Sequence, residues 1–124
     1  MFYVKIKIKE SKIHGLGIFA DENINKGNKI YQENLILDLL LSKKEFSALS
    51  KNEQNTIKHY GYFDKLRKKW HLAFDDIRFC NHSLNGNITL QNGILIAKKN
   101  IKKGEELTQN FEEFEELREE LRNK

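Results

Sequence analysis

Proline is absent from these 124 residues, and cysteine, methionine and tryptophan occur once each. A lone cysteine, Cys80, excludes an internal disulfide and a cysteine-rich zinc cluster. No apolar run approaches the roughly 18 residues needed to span a membrane. The longest, residues 35–41, is short and carries Asp38. The start, Met1-Phe2-Tyr3-Val4-Lys5, lacks the apolar core of a secretory signal, so the expectation is a cytoplasmic or otherwise intracellular protein. There is no Gly/Ser-rich linker, and the length suits one domain, 1–124. His14, His59, His71 and His82 show no H-x-x-x-H spacing and no serine sits in a nucleophile elbow, so the expectation is no metal site and no hydrolase triad.

Charge is plentiful and uneven. The net value is +4, yet residues 111–124 hold six Glu against two Arg and one Lys, leaving +7 on the rest. Lysines spread along many elements read as solvated faces. With no recognition helix and no interleaved aromatics, nucleic acid is not expected as a direct ligand. Phe2 to Lys9 alternates apolar residues with lysine, as a strand with one wet face does. Leu35 to Leu41 reads as a buried strand. Ser42-Lys43-Lys44-Glu45 and Ser50-Lys51-Asn52-Glu53 match the capping box, which predicts helices near 43–48 and 51–59. Residues 60–70 read as irregular, Asp75 and Asp76 as surface carboxylates. Asn92-Gly93 between two apolar stretches predicts a hairpin over 87–98. Phe111, Phe114, Leu117 and Leu121 share one face of a predicted helix over 111–122, with glutamates early and Arg118 and Arg122 late, as the helix dipole favours. Ile24 to Ile30 recurs in form as Ile101 to Leu107, each a turn with glycine where positive φ is cheap. The result is a β-rich α+β domain.

Three stretches carry the chemistry. Gly15-Leu16-Gly17-Ile18-Phe19-Ala20 fits the G-x-G-x-x-A dinucleotide fingerprint, but the lysine-alternating strand before it and the break at Asn23, Asn25 and Gly27 after it exclude the required strand and crossover helix. Arg78-Phe79-Cys80-Asn81-His82-Ser83-Leu84-Asn85-Gly86-Asn87 resembles the SET-domain string R-F-x-N-H-S-C-x-P-N. Gly104-Glu105-Glu106-Leu107-Thr108-Gln109-Asn110-Phe111 resembles that family's terminal block G-E-E-L-T-Y/F-D-Y. The likeness runs from about residue 11 to 111.

This resemblance implies a SET-domain, β-clip-like fold of several short sheets, with a knot-like C-terminal crossing and a C-terminal helix over 111–124. Residues 42–70 would be a variable helical insert. It further implies an S-adenosylmethionine-dependent protein-lysine methyltransferase that releases S-adenosylhomocysteine. Backbone at Gly15, Leu16 and Gly17 would approach the methionine portion of the cofactor. Asn81 would bond its ammonium or carboxylate region, the His82 backbone its adenine edge; Arg78 and Phe79 would border the pocket and Phe114 would cover the adenine. Gln109, Phe111 and Tyr60 would shape the lysine channel. The partner implied is a lysine-bearing protein or peptide, with a homodimer an option by likeness to small viral members.

Four of the departures from the family pattern bear on the site. Leu84 replaces a cysteine that often binds zinc, and the C-terminal cysteine cluster is missing too, which implies a minimal zinc-free type. Gly86 replaces proline. Gln109 stands at the Phe/Tyr position. Phe111 stands where the catalytic tyrosine belongs, keeping a ring wall without an oxygen. Tyr31, Tyr60 and Tyr62 are the candidate substitute hydroxyls. The alternative implied is a catalytically silent cofactor-binding or protein-interaction module.

Overall fold

The computed structural model describes the backbone of residues 1–122 and the side chains of residues 1–118. Ten strands and three helices follow one another: β1 (Ile6–Glu10), β2 (Leu16–Ala20), β3 (Lys29–Tyr31), β4 (Leu39–Leu41), α1 (Lys43–Ser47), α2 (Lys51–Tyr60), β5 (Tyr62–Asp64), β6 (Lys69–Leu72), β7 (Asn81–His82), β8 (Ile88–Gln91), β9 (Ile94–Ala97), β10 (Glu106–Gln109) and α3 (Phe111–Arg122). A single 3-10 turn, Asp76–Phe79, precedes β7. The β-rich α+β expectation is met. The side chains of Leu121 and Arg122, and residues 123–124 altogether, lie outside the described residues.

The chain divides into two compact units. The first comprises Met1–Gln32 and Phe79–Lys124, the second Glu33–Arg78. In the first, one sheet has the order β1-β2-β10-β7, with β10 antiparallel to β2 and parallel to β7. A second sheet has the order β3-β9-β8. The β8–β9 hairpin turns on Asn92 and Gly93, both at positive φ (51° and 81°), as predicted. Ile18, Ile24, Ile30, Ile101 and Leu107 are fully buried. Each stabilises the fold by about 1.5–3 kcal/mol relative to exposure.

The recurring turns explain how this core closes. Ile24 and Ile101 exchange two backbone hydrogen bonds, both 2.8 Å. Gly27 N–H donates to the Ala97 carbonyl and Gly104 N–H to that of Ala20, again at 2.8 Å each. Lys26 N–H donates to Asn100 Oδ1 (2.8 Å), and Lys103 N–H to Asn23 Oδ1 (2.9 Å). Each turn therefore caps the other, and the two glycines adopt φ of +89° and +95°. The internal likeness in the sequence is a local pseudo-two-fold arrangement, not a tandem repeat.

Close to it, β10 passes between β2 and the 81–87 segment. Ser83 N–H donates to the Gln109 carbonyl (3.1 Å). The buried Asn87 side chain imitates a strand edge, donating to the Glu106 carbonyl (2.8 Å) and accepting from Thr108 N–H (2.9 Å). A Cβ on Gly86 would sit 2.7 Å from Gln109 Cα and 2.8 Å from Asn110 N. Glycine at 86 thus permits close backbone approach.

In the second unit a sheet of order β4-β6-β5 is accompanied by α1 and α2. Both helices carry complete capping boxes, Ser42 with Glu45 and Ser50 with Glu53, as expected. Phe46 stacks on Trp70 with ring centroids 4.3 Å apart.

Three sequence expectations are corrected. Residues 35–41 are not a buried strand: only Leu39–Leu41 pairs, and Ile36 is 93% exposed. Asn34 diverts the chain, its side chain accepting from Ile36 N–H and its carbonyl from Leu37 and Asp38 N–H. Such local bonds outcompete a strand. Residues 60–70 are not irregular, since Tyr62–Asp64 pairs with Lys69–Leu72. Their turn uses the Asp64 carboxylate on Leu66 and Arg67 N–H groups, with Lys68 at φ 57°, so no glycine marks it. The first strand begins at Ile6, while Phe2 forms an isolated bridge to Tyr31.

Candidate active site

The first unit gathers most of the anticipated residues. Gly15, at φ +48°, turns the chain into β2, where Leu16 and Gly17 follow. Asn81 and His82 form β7, beside Thr108 and Gln109 of β10. The Asn81 side chain joins these elements. Its Nδ2 donates to the carbonyls of His14 and Leu16, both at 3.1 Å, and to Glu106 Oε2 at 2.9 Å. All three partners are acceptors only, which fixes the amide orientation. Asn81 Oδ1 is left without a partner among the described residues.

Glu106 was not singled out from sequence. Its Oε1 accepts from Ser11 Oγ at 2.7 Å, and Ser11 Oγ in turn accepts from Ile13 N–H at 2.9 Å. A Cβ on Gly17 would lie 2.6 Å from Glu106 Oε2 and 3.1 Å from Ser11 Cβ. That oxygen is already tied to Asn81, so it cannot swing away without breaking the bond. The second glycine therefore makes room for a carboxylate. Glu106 lay inside the quoted terminal block, but nothing in a strand-like G-E-E-L string reveals a partner 25 residues back.

His82 has a side-chain role that the sequence did not suggest. Its Nδ1 accepts the Phe111 N–H at 3.0 Å. In the neutral ring this places the proton on Nε2. Asn110 acts as the N-cap of α3, its Oδ1 accepting from Glu112 N–H (3.0 Å) and Glu113 N–H (3.3 Å). Phe111 is thereby fixed at the first position of α3, 44% exposed, its ring 5.2 Å from that of His82. Phe114, half-buried, follows one turn later. At the end of β10, Gln109 Oε1 is buried with no hydrogen-bond partner among the described residues. Native folds seldom leave such an acceptor unsatisfied, and a ligand role is one reason they do.

Burial pushes the Cys80 thiol up to about 12; the Gln109 amide and backbone oppose this, while the Glu106 charge adds to it. Cys80 is therefore a protonated thiol at neutral pH and no nucleophile. Phe79 ends the 3-10 turn in the first unit. Arg78, in the same turn, and Tyr60, the last residue of α2, belong to the second unit. Tyr62 also lies there, its hydroxyl 3.3 Å from His71 Nδ1, and Tyr31 is buried against Phe2 in the β3-β9-β8 sheet region.

The second unit holds one cluster that sequence missed. Glu33, Asp38 and His71 bring potential ligand atoms within 4.8 Å of one another. His71 Nε2 and Asp38 Oδ2 are 2.7 Å apart, and Glu33 accepts from Arg67 Nη2 at 2.9 Å. The Arg67 cation supplies the positive charge a metal would otherwise provide, and we read the group as a self-satisfied network.

The SET domain profile matches residues 15–112. The chain belongs to the SET-domain family. A relative from Debaryomyces hansenii, named histone-lysine N-methyltransferase, H3 lysine-36 specific, is 26% identical over 122 residues, covering 86% of this chain. The chain spans only 16% of that relative's length. The crystal structure of a Plasmodium falciparum protein, described as a candidate histone methyltransferase, superposes with a TM-score of 0.62 at 24% identity, over 87% of this chain and 93% of that one. At that identity the likeness speaks for the fold, and the SET-domain fold expected from sequence is the one observed. Among the described residues no helix is long and apolar enough to cross a membrane.

Proposed function

We propose that this SET domain is an S-adenosylmethionine-dependent protein-lysine N-methyltransferase whose turnover is limited by Phe111. The observation that carries the reading is the convergence of the Gly15–Gly17 backbone, Asn81 and Glu106 in one unit. It leaves an outward acceptor, Asn81 Oδ1, and a carboxylate for a small cationic molecule. When bound, the cofactor supplies an electrophilic methyl group. The chain's own contribution is position. Gly15, Leu16, Gly17, Asn81 and His82 hold the donor side, with Phe79 and Phe114 at its border. Gln109 Oε1, a buried acceptor in need of a donor, suits an amine N–H at the channel end. Phe111 offers a wall without the hydroxyl that would steady the reacting methyl.

The names of the relatives make a histone tail peptide the first substrate to test. An intracellular location, a homodimer and treatment of 1–124 as one SET domain with an insert over 42–70 belong to the same reading. Titration with S-adenosylhomocysteine by calorimetry should give binding that Asn81→Ala abolishes; no heat at millimolar ligand would sink the reading. Radiolabelled methyl transfer to protein mixtures should be weak in the native chain and rise by on the order of 10²-fold in Phe111→Tyr, the converse of deleting one preorganised polar group. The second reading, a silent cofactor-binding or interaction module, is favoured by Phe111 alone. It predicts binding without transfer in either protein.

A further inference from the structure

We infer that Glu106 is a positioning residue that makes the site select a ligand ammonium group, a deepening that rests on the cofactor reading above. The amide of Asn81 could present either end to a ligand. Glu106 Oε2, with the carbonyls of His14 and Leu16, consumes the amide donors and turns Oδ1 outward. The exposed end is therefore an acceptor, which suits an ammonium and repels a carboxylate. Charge points the same way. Glu106 takes hydrogen bonds from two neutral donors, Ser11 and Asn81, and has no Lys or Arg ion-paired to it among the described residues. An anion satisfied only by neutral dipoles retains its long-range field, and that field favours a cation at the far end of the same amide. Gly17 serves this arrangement, because a side chain there would collide with the carboxylate.

Replacing Glu106 by glutamine removes the charge and offers Asn81 an amide that can turn it end for end. The test is calorimetric affinity for S-adenosylhomocysteine and for its analogue lacking the α-amino group, in the native protein and in Glu106→Gln. The native protein should prefer the amine-bearing ligand by about tenfold or more, and the variant should bind both within about twofold. A merely structural Glu106 would weaken both ligands equally and leave the preference intact, which would overturn the inference while sparing the cofactor reading. The native protein also decides by itself, should the variant fail to fold: equal affinity for the two ligands overturns the inference. Binding of neither ligand removes the cofactor reading and this inference with it.

Discussion

Two polar networks, one in each unit, are both built around carboxylates and end differently. In the second unit Asp64 accepts from Arg67 Nη1 (2.7 Å) and Arg67 Nη2 reaches Glu33 (2.9 Å). Glu33 Oε2 faces His71 Nδ1 at 3.9 Å, and His71 Nε2 meets Asp38, whose other oxygen takes the Phe74 N–H. Every carboxylate there has a cationic or ring-nitrogen neighbour. In the first unit Glu106 leans on neutral donors and its neighbour Asn81 keeps an acceptor open. A network that closes on itself is architecture, and costs stability when cut. One that stops short is where a ligand completes it.

The comparison breaks most visibly at His71. The Asp38 side chain is fully buried, and removal of the ring leaves its carboxylate with the Phe74 N–H as its one remaining hydrogen-bond donor among the described residues. His71→Ala should cost about 3–5 kcal/mol, the range for leaving a buried carboxylate without its partner, read by urea unfolding at neutral pH. Asn81→Ala, cutting the open network, should cost about 1–2 kcal/mol by the same measurement, the scale of ordinary hydrogen bonds. Equal losses would remove the distinction between the two.

What sequence made legible follows from range. The two capping boxes, the Asn92-Gly93 hairpin and the positive-φ glycines at 27 and 104 are encoded within a few residues, and each appears where expected. The mutual capping by Asn23 and Asn100 is hidden, because the asparagines serve turns 80 and 74 residues away. The Lys68 turn was hidden for another reason: its positive φ is held by Asp64 bonds and not by a glycine. In the site, the motif letters single out Asn81 and Gly17, but not the carboxylate that meets both. His82 was read for its backbone, and its ring turned out to receive the first amide of α3.

Gly86 sharpens the comparison at intermediate cost, because it controls the crossing on which the open network is mounted. Gly86→Ala drives a methyl against the Gln109 and Asn110 backbone, atoms that cannot rotate aside. Overpacking of this kind costs about 1–3 kcal/mol. Since Gln109 and Asn110 lead into α3, cofactor affinity should fall along with the melting temperature. A variant as stable as the parent would show that the crossing is looser than the close backbone approach implies.

The mildest effect belongs to a third network, open to water on both sides. Glu113 of α3 accepts from Thr89 Oγ1 of β8 (2.6 Å) and from Lys98 Nζ (3.1 Å), pinning the helix to the β8–β9 hairpin. The Thr89 hydroxyl first, and Lys98 second, hold the Glu113 carboxyl below its ordinary value of 4.5. A depressed acid binds its proton more readily in the unfolded chain, so this contribution is complete above pH 4.5 and fades as pH falls through the folded value. Lys98 and Glu113 are 49% and 32% exposed, so solvent screens the pair, and Lys98→Met should lose only about 0.2–1 kcal/mol at pH 7 and low salt. The difference between the native protein and Lys98→Met should shrink below pH 4.5 and also at high ionic strength. Denaturation midpoints taken at pH 7 and pH 3, with and without salt, check the sign; a difference that grows in acid would assign the lysine to packing instead of charge.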